Sequence, residues 1–362
     1  LKRRAVEAVS LVVISLGVAF IGLEVLFRSW QGVSLSASEN FIIQQLDIIR
    51  QNTSVMDYDP LLGWRLRDNL YVKGSGFTTG PFGLRMNSNK IRPPGPGGIL
   101  AVGDSFTAGS GVIDEDSWPA QLEKMMNQPV HNAAAGAWGV DQMVLRAEQL
   151  APELSPKVLI LGILAQDSLR NAFEIYGGGY KPYFIVENGK ASLTGVPVPR
   201  VSTRPMDIGM VRKIAGHSYL LHWSLMRIWP TRWVHNHYRY KQVHSDQTGV
   251  EISCYLMDRL LRLQNDYGLR IIVAMQYGAA ESSAHEPPWY GPPVVECAKQ
   301  RGFETVDTYP PLKLLADQDR SRFEALWINE GGVLGHMSTA GNKFVAGLFY
   351  DLLRPHDVEV TQ

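Results

Sequence analysis

Cysteine is nearly absent from this 362-residue chain. There are two, Cys254 and Cys297, and no C-x-x-C pair, so neither a zinc-site spacing nor a disulfide-rich small scaffold is available. Net charge is absent too. The 35 Lys and Arg balance the 35 Asp and Glu, which removes the basic excess of a general nucleic-acid binder. No internal repeat or low-complexity tract occurs. Hydrophobic residues make up 45% of the chain, enough for one large core or two small ones. The cysteines fall in two expected helices. They read as buried free thiols, or as one disulfide if their domain lies outside the cytoplasm.

Long apolar runs are also scarce: there is one, Ala5 to Phe27, broken by Glu7 and Glu24 near its ends and by two serines. That length spans a bilayer. Lys2-Arg3-Arg4 before it, with few basic residues just after, predicts a cytoplasmic N-terminus and an extracytoplasmic, periplasmic globular part. A secretory signal is the rival reading. No small-x-small cleavage site follows in Leu23-Glu24-Val25-Leu26-Phe27-Arg28, so residues 1–30 are expected to be a single-pass inner-membrane anchor. Glu24 and Arg28 stand one helical turn apart and can pair. Ser15, Gly17, Ala19 and Gly22 would let a helix of an integral-membrane partner approach closely.

Residues 31–97 read as a linker. Ser36 to Gln51 has the pattern of an amphipathic helix with Phe41, Ile42, Leu46, Ile48 and Ile49 on its apolar face. Irregular strands and turns follow, up to the Pro/Gly boundary Pro93-Pro94-Gly95-Pro96-Gly97-Gly98. A domain over 98–358 then alternates strands and helices. Strands are expected at Ile99 to Val102, Val130 to Ala135, Lys157 to Leu164, Arg270 to Gln276 and Phe303 to Asp307. Helices are expected at Trp118 to Met126, Val140 to Leu150, Val250 to Gln264 and Ser338 to Leu353. This alternation implies an α/β sandwich around a parallel five-stranded sheet. An insertion at 171–248 interrupts it. Tyr183 to Leu193 reads as a hairpin turning on Asn188-Gly189. Tyr219 to Tyr240 mixes Trp223, Trp229, Trp233 and Tyr238 with Arg227, Arg232 and Arg239. It reads as a helical lid on the sheet, with a membrane-interface patch, an anion site or a protein contact as alternatives.

The chemistry centres on Gly103-Asp104-Ser105-Phe106-Thr107, with Gly109 and Gly111, directly after the first strand. A serine there stands where open α/β sheets place their ligands. Its bland reading is a helix cap. Gly335-His336-Met337-Ser338 precedes the last helix, and Gln166-Asp167 follows the third strand. In that order these segments resemble blocks I, V and III of the SGNH/GDSL hydrolases, over about residues 98 to 353. Lys181-Pro182-Tyr183-Phe184 and Val196-Pro197-Val198-Pro199 look like membrane-anchored, extracytoplasmic members, some of which move acyl groups onto or off polysaccharides.

The resemblance implies a flavodoxin-like fold with Ser105 as nucleophile and His336 as base. Asp104 would brace the turn, and oxyanion donors would come from Gln166 and from Gly136 or Ala137. No metal or cofactor is implied. Three positions depart from the family pattern. Val333 and Leu334 stand where the acid partner of the histidine is expected, so the candidate acid is Glu330, six residues upstream. Gln166 replaces Asn. In one register Ala137 replaces the glycine of block II, and in the other that glycine is Gly136. Two functions follow. One is a degraded site on an accessory or structural subunit of a membrane complex. The alternative is a Ser–His ester hydrolase or O-acyltransferase acting on cell-envelope glycans. A glycan-binding module lies between them.

Overall fold

The computed structural model describes residues 2–36, 40–43, 55–177, 179–200, 208–233 and 240–354. The chain divides into two compact units: Leu1–Ser54 with Ser202–Tyr240, and Val55–Val201 with Lys241–Gln362. In the first unit, α1 (Lys2–Trp30) is one continuous helix. Its stretch Val9–Trp30 has 22 residues and mean hydropathy 2.4, and no residue of its most apolar 18-residue window is buried. Such a helix is about 33 Å long and matches a bilayer core of about 30 Å.

The second unit is organised on a parallel sheet. Its strands are β1 (Ile99–Gly103), β2 (Val130–Asn132), β3 (Val158–Leu164), β4 (Arg270–Gln276) and β5 (Glu304–Asp307), in the order β5–β4–β3–β1–β2. Every residue of β1 is buried. Its side chains alternate between two cores. Leu100 and Val102 enter the one built with α4 (Val140–Leu154) and α8 (Asp246–Tyr267). Ile99 and Ala101 enter the one built with α3 (Trp118–Met126) and α10 (Thr339–Leu353). That two-sided burial is why these strands read as continuous apolar runs.

The sheet grows one way from β1 to β2 and the other way through β3, β4 and β5. The topological switch therefore falls beside β1, and the crevice at its carboxyl end is the natural ligand site. The free edge of β2 is closed by the Arg85 N–H, which donates to the Asn132 carbonyl at 2.8 Å.

Caps explain the helix starts. The hydroxyls of Ser117, Ser245 and Ser338 accept from the N–H groups of Ala120, Thr248 and Gly341. The insertion hairpin pairs Tyr183–Glu187 with Lys190–Thr194, and Asn188 and Gly189 both take positive φ (50° and 72°), as a type I′ turn requires. The buried Lys181 ammonium pairs with Asp141 of α4 and donates to the Pro182 carbonyl at 2.9 Å, which ties the start of the hairpin to the sandwich.

Of the two readings of the cysteines, the disulfide holds and the buried free thiols do not: Cys254 of α8 and Cys297 of α9 (Pro292–Gln300) are joined and only half-buried. The two helices pack side by side, and the half-buried cysteines form a disulfide across 43 residues, 5.4 Å between Cα atoms. Closing a loop of that length contributes about 4 kcal/mol in the chain-entropy account. The aromatic-basic segment divides with α1 rather than with the sheet, as α6 (Met210–Ala215), α7 (Tyr219–Ile228) and a turn of helix at Pro230–Trp233. Of the expected 36–51 helix, residues 41–43 are helical. Leu46, Ile48, Ile49 and Tyr238 lie outside the described residues.

Candidate active site

Strand β1 ends at Gly103, and the chain turns into α2 (Ser105–Ala108) with no intervening loop. Gly103 permits the turn because a Cβ there would lie within 2.5 Å of the Gly162 carbonyl oxygen and against the Thr107 hydroxyl. Asp104, fully buried, caps α2: its Oδ1 accepts from the Phe106 N–H at 2.8 Å. Ser105 is thereby fixed at the first helical position with its hydroxyl pointing out of the sheet's carboxyl edge.

His336 comes from a hairpin that the sequence pattern did not reveal, β6 (Trp327–Glu330) and β7 (Val333–Met337), turning on Gly331 and Gly332 at φ 67° and 94°. The hairpin carries the imidazole to Ser105: His336 Nε2 lies 3.1 Å from Ser105 Oγ. The hydroxyl has a second, longer acceptor in Asp104 Oδ2 at 3.3 Å. The Phe106 ring packs against the imidazole, 5.4 Å between centroids.

Glu330 lies on the other side of the ring. Its Oε1 accepts from His336 Nδ1 at 2.9 Å and from the His336 backbone N–H at 3.2 Å. Because an ionised carboxylate only accepts, it places the imidazole proton on Nδ1 and leaves Nε2 as an acceptor facing the Ser105 hydroxyl. The hydrogen bond from His336 holds the Glu330 carboxyl below the usual carboxylate range. The carboxylate folds back across Gly335, where a Cβ would lie 2.5 Å from its Oε1. So the spacing that lacked an acid two or three residues before the histidine is met by one six residues before it.

The other site residues of the sequence reading are placed as follows. Gly136 stands beside the nucleophile: a Cβ on it would lie 3.9 Å from Ser105 Cβ. Its carbonyl accepts from Trp64 Nε1 at 3.0 Å, while Trp138 Nε1 donates to the Trp64 carbonyl at 3.0 Å. Ala137 holds φ 65°, the left-handed conformation that glycine adopts more easily. Gln166 is exposed, and its Nε2 donates to Glu281 Oε1 at 3.2 Å. Glu281 is itself anchored by the Gly278 N–H at 3.0 Å and by the Tyr290 hydroxyl. One amide hydrogen of Gln166 is thus committed to Glu281.

Arg170 was missed by sequence reading. It lies at the end of α5 (Asp167–Arg170) and is nearly buried. Its Nη1 donates to the Trp138 carbonyl at 2.9 Å and lies 3.3 Å from Asp104 Oδ2 and 2.5 Å from Asp167 Oδ1. One guanidinium thus joins the Asp104–Ser105 turn, the 136–138 loop and α5. Burial works against its charge, but Asp167 and Asp104 outweigh this and raise its proton affinity. Burial, partly offset by Arg170 and reinforced by Asp104, pushes the Asp167 carboxyl well above its usual range.

Arg85 does for the end of α2 what Arg170 does for its start. Fully desolvated, it donates to the carbonyls of Ala108, Gly109 and Val112 and pairs with Asp114. The only sequence signals were an arginine four residues into a helix start and one in an apolar strand-like run, which ordinarily mean solvated charges. Substituting Arg170 by Met strands two buried carboxyls. Urea unfolding is expected to show a loss of about 3–5 kcal/mol.

Among the described residues, no cluster of His, Cys, Asp or Glu could hold a metal ion. The strand order, the Gly-Asp-Ser turn at the end of β1 and the histidine before the last helix define an α/β fold of the SGNH type. No family model and no curated protein matches the chain. Among solved structures it is similar to a G-D-S-L family protein from Desulfitobacterium hafniense DCB-2, at 14% identity over 70% of this chain and 98% of that one, TM-score 0.39. It is also similar to a lipase/acylhydrolase from Enterococcus faecalis (10%, 70% and 94%, TM-score 0.38) and to an acetylxylan esterase from Geobacillus stearothermophilus (14%, 72% and 94%, TM-score 0.39). The fold assignment rests on the chain's own strand order.

Proposed function

We propose that this chain is a serine ester hydrolase or O-acyltransferase of the SGNH/GDSL type, held at a membrane by α1 with its sandwich on the extracytoplasmic side. The observation that carries the reading is the unbroken run Ser105 Oγ–His336–Glu330, at 3.1 Å and 2.9 Å. A scaffold that had only a structural duty would have no use for an imidazole held between a hydroxyl and a carboxylate.

In the reaction, Ser105 Oγ attacks the ester carbonyl while its proton passes to His336 Nε2. Glu330 stabilises the imidazolium that forms. The negative charge moves to the former carbonyl oxygen, for which the proposed donors are the Ser105 N–H, the N–H of Gly136 or Ala137 and the Gln166 amide. Collapse expels the alcohol, which takes the proton from His336 and leaves an acyl-Ser105. Water then completes hydrolysis, or a second alcohol completes transfer, with His336 acting as base again.

Location narrows the substrate. An oxidised Cys254–Cys297 pair suits an oxidising compartment, and an apolar helix with no small-x-small site in Leu23–Arg28 at its end suits an anchor. Acyl esters on cell-envelope glycans are the ester class such a domain meets. The test is p-nitrophenyl acetate with the full chain in detergent. A burst of p-nitrophenol followed by steady turnover is expected. No release above buffer would favour an accessory subunit without chemistry.

A further inference from the structure

In the unit formed by Leu1–Ser54 and Ser202–Tyr240, a carboxylate inside the apolar stretch of α1 is fully engaged. Glu24 accepts from the Ser218 hydroxyl at 2.7 Å, the Tyr219 N–H at 2.7 Å and the Leu220 N–H at 3.0 Å. These are the orphan donors at the start of α7, so Glu24 acts as a cap supplied from 194 residues away. Arg28 pairs with Glu24 at 2.6 Å and donates to the His217 carbonyl at 2.6 Å. Phe27 packs edge-on against Trp223, 5.0 Å between centroids. Asn40 Nδ2 donates to the carbonyls of Arg212 and Lys213 at 3.0 and 3.1 Å, which brings α6 into the same body.

This capping sets a height. Glu24 lies six residues before the end of α1, about 9 Å along the axis. The start of α7 is therefore level with the last turns of the apolar stretch, where a span passes from hydrocarbon to headgroups. The composition of the docked segment fits that height. Between residues 208 and 233 there is no Asp or Glu, while Arg212, Lys213, Arg227 and Arg232 are all present. Ile208 and Trp233 are buried against Ile42, while other apolar side chains are turned outward: Met210, Val211 and Ile214 on α6 are 78%, 76% and 71% exposed, and Trp229 after α7 is 56% exposed. Apolar and aromatic groups beside a one-signed basic set are the pattern of helices that lie in an anionic lipid interface.

We propose that α6 and α7 form an interfacial collar, bound in the headgroup layer of the bilayer that α1 crosses. The chain thus meets the lipid twice, and the second contact is clamped to the first by Glu24 and Arg28. The inference rests on the anchor reading of α1 and adds to it a lipid-binding surface within the insertion. The occupant is lipid, because the exposed face belongs to the same unit as the exposed apolar residues of α1, to which Glu24 and Arg28 clamp α7, and the charges of residues 208–233 are all positive.

The test uses the full chain in nanodiscs of phosphatidylethanolamine and phosphatidylglycerol, spin-labelled at one introduced cysteine. The native cysteines are joined and do not react with the label. Val13→Cys reports on the span and Ile214→Cys on the collar. Relaxation by oxygen, which partitions into lipid, is compared with relaxation by a water-soluble nickel chelate. Both labels are expected to be relaxed several-fold more by oxygen, and the Ile214→Cys label to lose some of that preference when Glu24→Ala releases the clamp. A Val13→Cys label in lipid with an Ile214→Cys label in water would overturn the collar alone, and would fit a protein partner on that face. A Val13→Cys label in water would overturn the anchor and the collar together.

Discussion

Ser105→Ala is expected to abolish ester turnover while leaving the fold intact. The side chain contributes one hydroxyl at the surface end of α2, and its removal leaves the Asp104 cap and the buried strand β1 untouched. The thermal midpoint should therefore move little. The rate should fall by about 10³-fold or more, to what binding and the oxyanion donors alone provide. His336→Ala should fall as far, and the double substitution no further, because nucleophile and base act as one device. Additive losses would mean that the two side chains act separately, against their 3.1 Å contact. The measurement is p-nitrophenyl acetate turnover of the four forms, read beside circular dichroism.

The second large effect is expected at Glu330. Glu330→Gln keeps an oxygen for His336 Nδ1 but removes the charge that steadies the imidazolium. Buried acids of this kind are worth about 10⁴-fold. The Glu330 side chain is 49% exposed, and solvent screens it, so a loss of about 10- to 100-fold in kcat is expected, with KM little changed. Gly335→Ala should reproduce most of that loss without touching a charged group, because the added methyl occupies the path of the carboxylate.

The pH dependence follows from the direction of the shift. The folded Glu330 carboxyl titrates below its ordinary value of 4.5, so its contribution is complete above that value and is lost only as pH falls through the lower folded one. Wild type and Glu330→Gln should therefore converge only under strongly acid conditions. A Glu330→Gln enzyme as fast as wild type at pH 7 would remove the carboxylate from the mechanism.

The sandwich was legible because its strands are buried on both faces. Ile99–Gly103, Val158–Leu164 and Arg270–Gln276 are apolar runs without alternation, and each is bounded by turn chemistry. Ser105 and His336 were legible as motif positions relative to those strands. Glu330 was legible only as a candidate. Its approach depends on a hairpin of short strands and on Gly335 lacking a side chain, neither of which sets a sequence distance between acid and base. The roles of Arg170 and Arg85 were not legible: most partners of Arg85 are backbone carbonyls that any residue could supply, and Arg170 meets Asp104 and the Trp138 carbonyl only through the folding of the sheet. The disulfide was one of two readings of Cys254 and Cys297, and their separation of 43 residues could not choose it, because pairing follows the packing of α8 on α9. The docking of α7 on α1 was half visible. Glu24 and Arg28 stood out in an apolar run, but the helix they cap lies far away along the chain.

The proposed mechanism makes Ser105 an activated nucleophile. A fluorophosphonate tests it without knowledge of the natural ester, because phosphonylation needs the nucleophile and the base. The full chain, treated with the reagent and digested, should carry one adduct, on the peptide holding Ser105. His336→Ala should slow labelling by orders of magnitude, and Ser105→Ala should prevent it. A protein whose circular dichroism shows the fold intact, yet whose Ser105 peptide stays unmodified, would contradict the account.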